Sequence, residues 1–337
     1  MIRVLVVDDS ATVRGRLIEI LRDSPDFTVV GEAADGRRAI ELCKQLRPDV
    51  VTLDLVLPEL DGLAVTEDIM AHQPTPILIV SASMNRGEVV RTYDALAAGA
   101  VDVLDKAGAA DEEWDVRFLS AVRMVSRIKV ITHPRARLRK NAPSQPPIAL
   151  EAKPAELIAL GASTGGPGAL AQVIAAIPSR VHAPIVLVLH IDAAFAQSFA
   201  GWLDGMTSRD VRIANHGEPL APDRVYVSPS DRHLTIVDGE CRLIDAPPVN
   251  HCKPSVDVLF QSVATACGPR ASAALLTGMG RDGAEGLLAI RKAGGLTIAQ
   301  DEATCVVYGM PREAALRNAA VHVAPLDRIG ALLGGDA

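Results

Sequence analysis

A serine, a histidine and an aspartate each close or follow a strand-like apolar run. Ser163 lies in "LIALGASTGGPGAL", His190 ends "PIVLVLH", and Asp282 lies in "LLTGMGRDGAEG". A serine hydroxyl is a poor nucleophile until a base takes its proton, and that base needs an acid to orient it. The three types fit acyl transfer, with Ser163 as nucleophile, His190 as general base and acid, and Asp282 as orienter. Gly161 and Gly165 flank the serine at two residues on either side, an altered form of the GxSxG elbow that exposes a hydroxyl on a sharp turn. The chain order Ser, His, Asp is not that of the α/β-hydrolases. A phosphate loop does not fit, because no lysine follows Gly165 or Gly166 and the GxGxxG spacing is not met. The competing reading is a tight turn with Ser163 or Thr164 as helix cap. His182, His216, His233 and His251 are rival bases, and His182 precedes its strand and belongs at the opposite rim.

A second constellation lies earlier in the chain. Asp8 and Asp9 end the first strand-like run, Asp54 the third, Ser81 the fourth and Lys106 the fifth. Clustered carboxylates bind Mg²⁺, which prefers hard oxygen ligands. A metal and a lysine together can neutralise a phosphoryl group transferred to one carboxylate. A nearby hydroxyl could then sense the new charge. Any one aspartate alone would be read as a cap or turn residue; five suitable residues at five strand ends are harder to set aside.

Both sets need parallel sheets, whose strands present their carboxyl ends along one rim. In residues 1–125, "RVLVV", "FTVVGEA", "DVVTLD", "PILIVS" and "AVDVLD" alternate with amphipathic runs such as "GRRAIELCKQL". This predicts a doubly wound α/β domain of the flavodoxin-like kind. Residues 126–153 lose the periodicity and gather proline, arginine and lysine, as a flexible linker does. Residues 154–337 resume an α/β pattern with buried strands "ELIALGA", "PIVLVLH", "SAALLTG" and "LTIAQ", predicting a Rossmann-like domain. "RVYVSPSDRHLTIVDGECRLI" reads as antiparallel strands inserted into it.

Composition narrows the function classes. A formal charge of −7 gives no overall pull toward nucleic acid, and the linker's basic cluster lacks aromatics. Five scattered cysteines without a CxxC argue against a disulfide framework and a zinc site. Met1 runs straight into "IRVLVVDDS", which is no signal peptide, and no apolar run approaches the ~18 residues of a membrane span. The expectation is a cytoplasmic protein with no membrane insertion.

"VLVVDDSATVR", "VTLDLVLPELDG", "ILIVSAS" and "DVLDK" resemble a response-regulator receiver domain. The resemblance implies Asp54 as phosphoacceptor, Asp8, Asp9 and Asp54 as Mg²⁺ ligands, Ser81 and Lys106 as switch residues, and a histidine kinase as phosphodonor. The chain departs from the family in having Ala107 after Lys106, where proline is usual, and Val56 where a polar residue is common.

"LIALGASTGGPGAL", "LHIDAAFAQSFA", "SPSDRHL", "PPVNHCKPSVDVLFQSVA", "LLTGMGRDGA" and "AQDEATCVVYGMPREA" resemble the catalytic domain of chemotaxis protein-glutamate methylesterases, the CheB family. That implies hydrolysis of glutamyl methyl esters on chemoreceptor cytoplasmic domains, with glutamine deamidation beside it, and no cofactor for the esterase. Ser163, His190 and Asp282 fall on the family's triad, and the Met279 backbone falls where an oxyanion donor is expected. "LHID" replaces the usual "QHMP", so Leu189 and Asp192 alter the surroundings of the base. The expected gating is a receiver that blocks Ser163 until Asp54 is phosphorylated. The alternatives are the same chemistry in a non-flagellar chemosensory-like pathway, and a C-terminal domain that only binds a partner.

Overall fold

The structure, a computed structural model, describes residues 1–81, 86–106, 111–128, 130, 155–191 and 193–335. The chain divides into two compact units, Met1–Pro143 and Ser144–Ala337. The expected linker lies almost wholly outside the described residues, as do Ala107 and Asp192.

The first unit alternates strand and helix five times: β1 (Ile2–Val7), α1 (Ala11–Arg22), β2 (Phe27–Ala33), α2 (Gly36–Leu46), β3 (Val50–Leu53), α3 (Gly62–His72), β4 (Ile77–Ser81), α4 (Arg86–Ala98), β5 (Asp102–Asp105) and α5 (Glu112–Val125). Every strand pairing is parallel, in the order β2-β1-β3-β4-β5. Helix starts are written locally. Asp35 and Asp61 accept the backbone amides of Arg38 and Ala64 at 2.8 and 2.9 Å, capping α2 and α3. β3 and β4 are buried along their whole length, as strands covered on both faces must be.

The second unit runs β6 (Leu157–Ala162), α6 (Gly166–Ala176), β7 (Ile185–Leu189), α7 (Ala193–Met206), β8 (Asp210–Ile213), β9 (Glu218–Pro219), β10 (Arg224–Val227), β11 (His233–Val237), β12 (Glu240–Ile244), α8 (Val256–Cys267), β13 (Ala271–Leu275), α9 (Ala284–Lys292), β14 (Leu296–Gln300), α10 (Met310–Leu316), β15 (His322–Ala324) and α11 (Leu326–Leu333). Seven strands form a parallel sheet in the order β15-β14-β13-β6-β7-β10-β8, and β11, β12 and β9 form a separate antiparallel sheet. The core packs α8 and α9 on the sheet through Phe260, Val263, Leu287 and Ile290 against Leu157 and Leu275.

One expectation is corrected. "RVYV" belongs to the main sheet, where β10 pairs parallel with β7 and β8. Val225, Tyr226 and Val227 are buried, so this strand is covered on both faces and has no polar side to alternate with. Only His233–Ile244 is the hairpin, turning at Asp238 and Gly239. No helix among the described residues is long and apolar enough to cross a membrane.

Candidate active site

The order of the larger sheet reverses direction at β6. The chain leaves β6 toward β7 on one side, and β13 comes in on the other. Ligands in open α/β sheets bind outside the carboxyl ends of the strands at such a switch point. Ser163 follows β6, His190 follows β7, and Asp282 lies in the turn after β13. The backbone amides knit these ends together: Ser163 N–H donates to Thr277 O at 3.0 Å, and His190 N–H to Ala162 O at 3.0 Å.

Two glycines of the serine turn have distinct work. Gly165 has φ of 75°, the left-handed region, and a Cβ there would stand 2.6 Å from Val306. Gly161 leaves room for α8: a Cβ there would stand 2.3 Å from Val256 Cγ1. Gly165 is the N-cap of α6 and no side chain caps this helix, so neither Ser163 nor Thr164 takes the cap role. The Ser163 hydroxyl is part-buried and makes no hydrogen bond among the described residues.

His190 and Asp282 do meet. Nε2 of His190 lies 2.9 Å from Oδ2 of Asp282, with the histidine side chain 16 % exposed and the carboxylate 2 %. Asp282 is held by four further donors. Oδ2 accepts the Val256 amide at 2.6 Å, and Oδ1 accepts Ser255 Oγ at 2.7 Å, the Asp257 amide at 3.3 Å and Asn250 Nδ2 at 3.4 Å. Two of these are the first amides of α8, so the positive end of the helix faces the carboxylate. Burial alone would push Asp282 up, but the bonds from His190 and Ser255 outweigh it and hold the carboxyl below its usual range. A carboxylate has no proton to give, so Nε2 donates and Nδ1 is left as the basic nitrogen. Nδ1 faces Cys252 Sγ at 3.9 Å.

Burial lowers the His190 pKa, and the Asp282 bond and the Cys252 thiol more than offset it, pushing the imidazole up to about 9. A raised pKa keeps the ring protonated, and a general base must be unprotonated. The rate is therefore expected to fall about tenfold per pH unit below that value. A kcat/KM profile for methyl-ester hydrolysis should show an inflection near pH 9; a flat profile from pH 6 to 9 would exclude His190 as base.

Three of the four rival histidines are committed elsewhere. His182 pairs with Asp223 at 2.8 Å on the opposite rim, ahead of β7. His233 is fully buried, accepts the Ser255 amide at Nδ1 and contacts Pro247 O through Nε2. His216 contacts the Leu243 backbone, and His251 sits in a left-handed turn with φ of 64°. Met279 is 55 % exposed beside Gly278, and its amide donates to no group among the described residues. Leu189 is buried at the end of β7.

The sequence reading did not single out Cys252, Asn250, Ser255 and Asp257, the surroundings of Asp282. All four lie in "PPVNHCKPSVDVLFQSVA", which carries the family resemblance but assigns none of them a role, and Ser255 also has the form of a helix cap before an amphipathic run. Asp257 is pushed up to about 6 by burial, against amide bonds that favour its charge and with Asp282 adding to the rise. Thr277 and Gln300 were missed as well. Gln300 is fully buried and its Oε1 accepts the Thr277 amide at 2.8 Å, fixing the turn that receives Ser163.

In the first unit, Asp8, Asp9 and Asp54 each offer a carboxylate oxygen, all within 4.8 Å of one another. Lys106 Nζ lies 2.7 Å from Asp8 Oδ2 and 2.8 Å from Asp54 Oδ2. Three carboxylates form a hard, all-oxygen donor set that fits Mg²⁺. Burial pushes the Asp54 carboxyl up despite Lys106. Ser81 is buried at the end of β4, where its carbonyl accepts the Lys106 amide at 2.9 Å, and Val56 is exposed.

Comparison with known proteins matches both units. Residues 158–333 match the CheB methylesterase family model, and residues 4–113 match the response regulator receiver domain model. A protein-glutamate methylesterase/protein-glutamine glutaminase of Anaeromyxobacter dehalogenans is 45 % identical over 97 % of this chain and 95 % of its own length. One from Syntrophus aciditrophicus is 41 % identical over 99 % and 97 %. The crystal structure of the Thermotoga maritima CheB methylesterase catalytic domain is 34 % identical, with a TM-score of 0.51, covering 54 % of this chain and 98 % of that one.

Proposed function

The chain belongs to the CheB family, a receiver domain joined to a methylesterase domain, and from that premise we propose that Ser163, His190 and Asp282 carry its hydrolysis of glutamyl methyl esters on chemoreceptors. The protein is a hydrolase of the protein-glutamate methylesterase/protein-glutamine glutaminase type under a response-regulator receiver. The His190–Asp282 pair, at the same sheet rim as a Ser163 whose hydroxyl bonds no described neighbour, is the observation that carries the residue assignment.

Ser163 Oγ attacks the ester carbonyl carbon as its proton moves to Nδ1 of His190. Asp282 stabilises the resulting imidazolium through Nε2–H. The oxyanion of the tetrahedral intermediate takes the Met279 amide, and such preorganised donors supply much of the rate in acyl transfer. The imidazolium then protonates the leaving methoxide, and methanol departs. Water, deprotonated by the same nitrogen, releases glutamate from the acyl-enzyme. With a glutamine substrate the same steps release ammonia.

In the receiver, Asp54 takes the phosphoryl group from a histidine kinase, and Asp8, Asp9 and Asp54 hold Mg²⁺. The ion, when bound, offsets phosphoryl charge. Lys106 exchanges its contact with the Asp54 carboxylate for one with the phosphoryl oxygens, and Ser81 senses the change. This charge change biases the receiver away from blocking Ser163. We place the units at 1–125 and 154–337, joined by a tether at 126–153, in the cytoplasm with the receptors' cytoplasmic domains.

Methanol release from methylated receptor membranes, with and without Mg²⁺ and a small phosphodonor, tests this reading. The phosphodonor is expected to raise the rate, Asp54→Asn to remove that response, and deletion of residues 1–150 to raise the basal rate. A truncated enzyme no faster than the full chain would rule out occlusion.

A further inference from the structure

Cys252 is the neighbour of the base that ester hydrolysis leaves without a task. It closes a small turn in which Val249 and Cys252 exchange both backbone hydrogen bonds, at 3.0 and 2.8 Å. Asn250 and His251 inside the turn both take positive φ, 52° and 64°. The turn thereby aims Sγ at Nδ1 of His190, 3.9 Å away, while Sγ also lies 3.5 Å from the Asn250 carbonyl. His190, Cys252 and Asp282 each offer a ligand atom, and these lie within 4.8 Å of one another.

We propose that Cys252 Sγ and His190 Nδ1 form a site for a thiophilic divalent cation, Zn²⁺ above all, and that its occupation reversibly shuts off the esterase. The shut-off, though not the site, rests on the assignment of His190 as base.

Donor chemistry selects the ion. Thiolate and imidazole suit Zn²⁺, whereas the three carboxylates of the receiver suit Mg²⁺, so the chain sorts the two metals between its units by ligand softness. Distance agrees. Tetrahedral zinc with Zn–S of about 2.3 Å and Zn–N of about 2.0 Å separates its sulfur and nitrogen by roughly 3.6 Å, a few tenths of an ångström less than the separation present. The outer partner is already in place. A metal-bound histidine donates its other N–H to a carboxylate, which fixes tautomer and ring plane, and Asp282 takes Nε2–H here. Two protein ligands leave the other coordination positions to water, which makes the ion exchangeable rather than structural. Cys252 is part-exposed, so the ion has an approach.

Binding requires no redox step. The cation forms bonds to sulfur and Nδ1, the thiol proton and the Nδ1 proton of the imidazolium both leave to solvent, and two protons are released per ion below the histidine's pKa. The Nδ1 lone pair is then engaged by the metal and cannot accept the Ser163 proton. Cys252 and His190 are far apart in sequence, which is why the absence of CxxC spacing concealed the pair.

The test uses the full chain, freed of metal by a chelator and titrated with buffered Zn²⁺ during methanol release. Wild type should be inhibited at micromolar free Zn²⁺ and recover on adding EDTA. Cys252→Ser and Cys252→Ala, each scored against its own metal-free rate, should need about tenfold more Zn²⁺ or beyond for half-inhibition. Independently of turnover, Co²⁺ should produce a near-ultraviolet thiolate-to-cobalt band that persists in Ser163→Ala and disappears in Cys252→Ser. Equal Zn²⁺ sensitivity in wild type and both variants, or a Co²⁺ band missing from wild type or retained in Cys252→Ser, would overturn the site. A Cys252-dependent band in a protein that releases no methanol even without metal would instead overturn the esterase reading and leave the site standing.

Discussion

Ser163→Ala is expected to lower methanol release by at least about three orders of magnitude while the protein folds as before. The size follows from the chemistry: without Oγ there is no atom to form the acyl-enzyme, and only transition-state binding remains. The intact fold follows from the structure. The hydroxyl caps no helix and bonds no described neighbour, so its loss strands no polar group and should cost within about 0.5 kcal/mol. Rates on methylated receptor and a urea melt measured on one preparation check both halves. Turnover near that of wild type would remove Ser163 from the mechanism. A large drop in stability would mean that the hydroxyl has a structural partner.

Asp282→Asn should do damage of a different kind, losing rate and stability together. The rate loss is expected on the order of 10³ to 10⁴-fold, because a neutral amide neither fixes the Nε2–H tautomer nor stabilises the imidazolium. The stability loss is expected at about 1–3 kcal/mol even though the side chain keeps its shape. All five groups around Asp282 are donors, two of them amides at the start of α8. Whichever way an asparagine turns, its NH₂ meets at least one backbone amide of α8 donor to donor, Val256 on one side or Asp257 on the other, and the helix end loses its anion. Chemical denaturation alongside kcat/KM would show this. Unchanged stability with lost rate would mean that the donor cage relaxes freely, which its buried, helix-anchored members argue against.

The parts of the site that could be seen in the sequence are those written as local pattern. Strand ends marked by Ser163, His190 and Asp282 stood out because parallel strands are continuous apolar runs, and the rim they share follows from handed βαβ connection. The glycines around Ser163 were readable as a sharp turn, although only the packing reveals that Gly161 clears Val256 and Gly165 clears Val306. What pattern could not show were contacts made by loops folding back. Ser255 and Asn250 reach Asp282 from a segment upstream of β13, and Cys252 reaches His190 across the same gap. Arg224–Val227 is ambiguous in sequence for a related reason. A run of four residues carries too little period to separate a parallel core strand from one arm of a hairpin, and only its neighbours β7 and β8 decide.

The strand order also imposes a schedule on synthesis. Each pairing of the receiver sheet is made within the first 105 residues. That unit can close while the ribosome is still extending the chain. β6, by contrast, pairs on one side with β13, and Gly161 aligns with Leu275. A nascent chain that has reached only Cys267 therefore carries its serine on an open sheet edge, with neither Asp282 nor the turn at Thr277 yet made. The phosphorylatable unit is finished before an esterase centre exists. On the proposed gating, the restraint is complete before there is a centre for it to restrain.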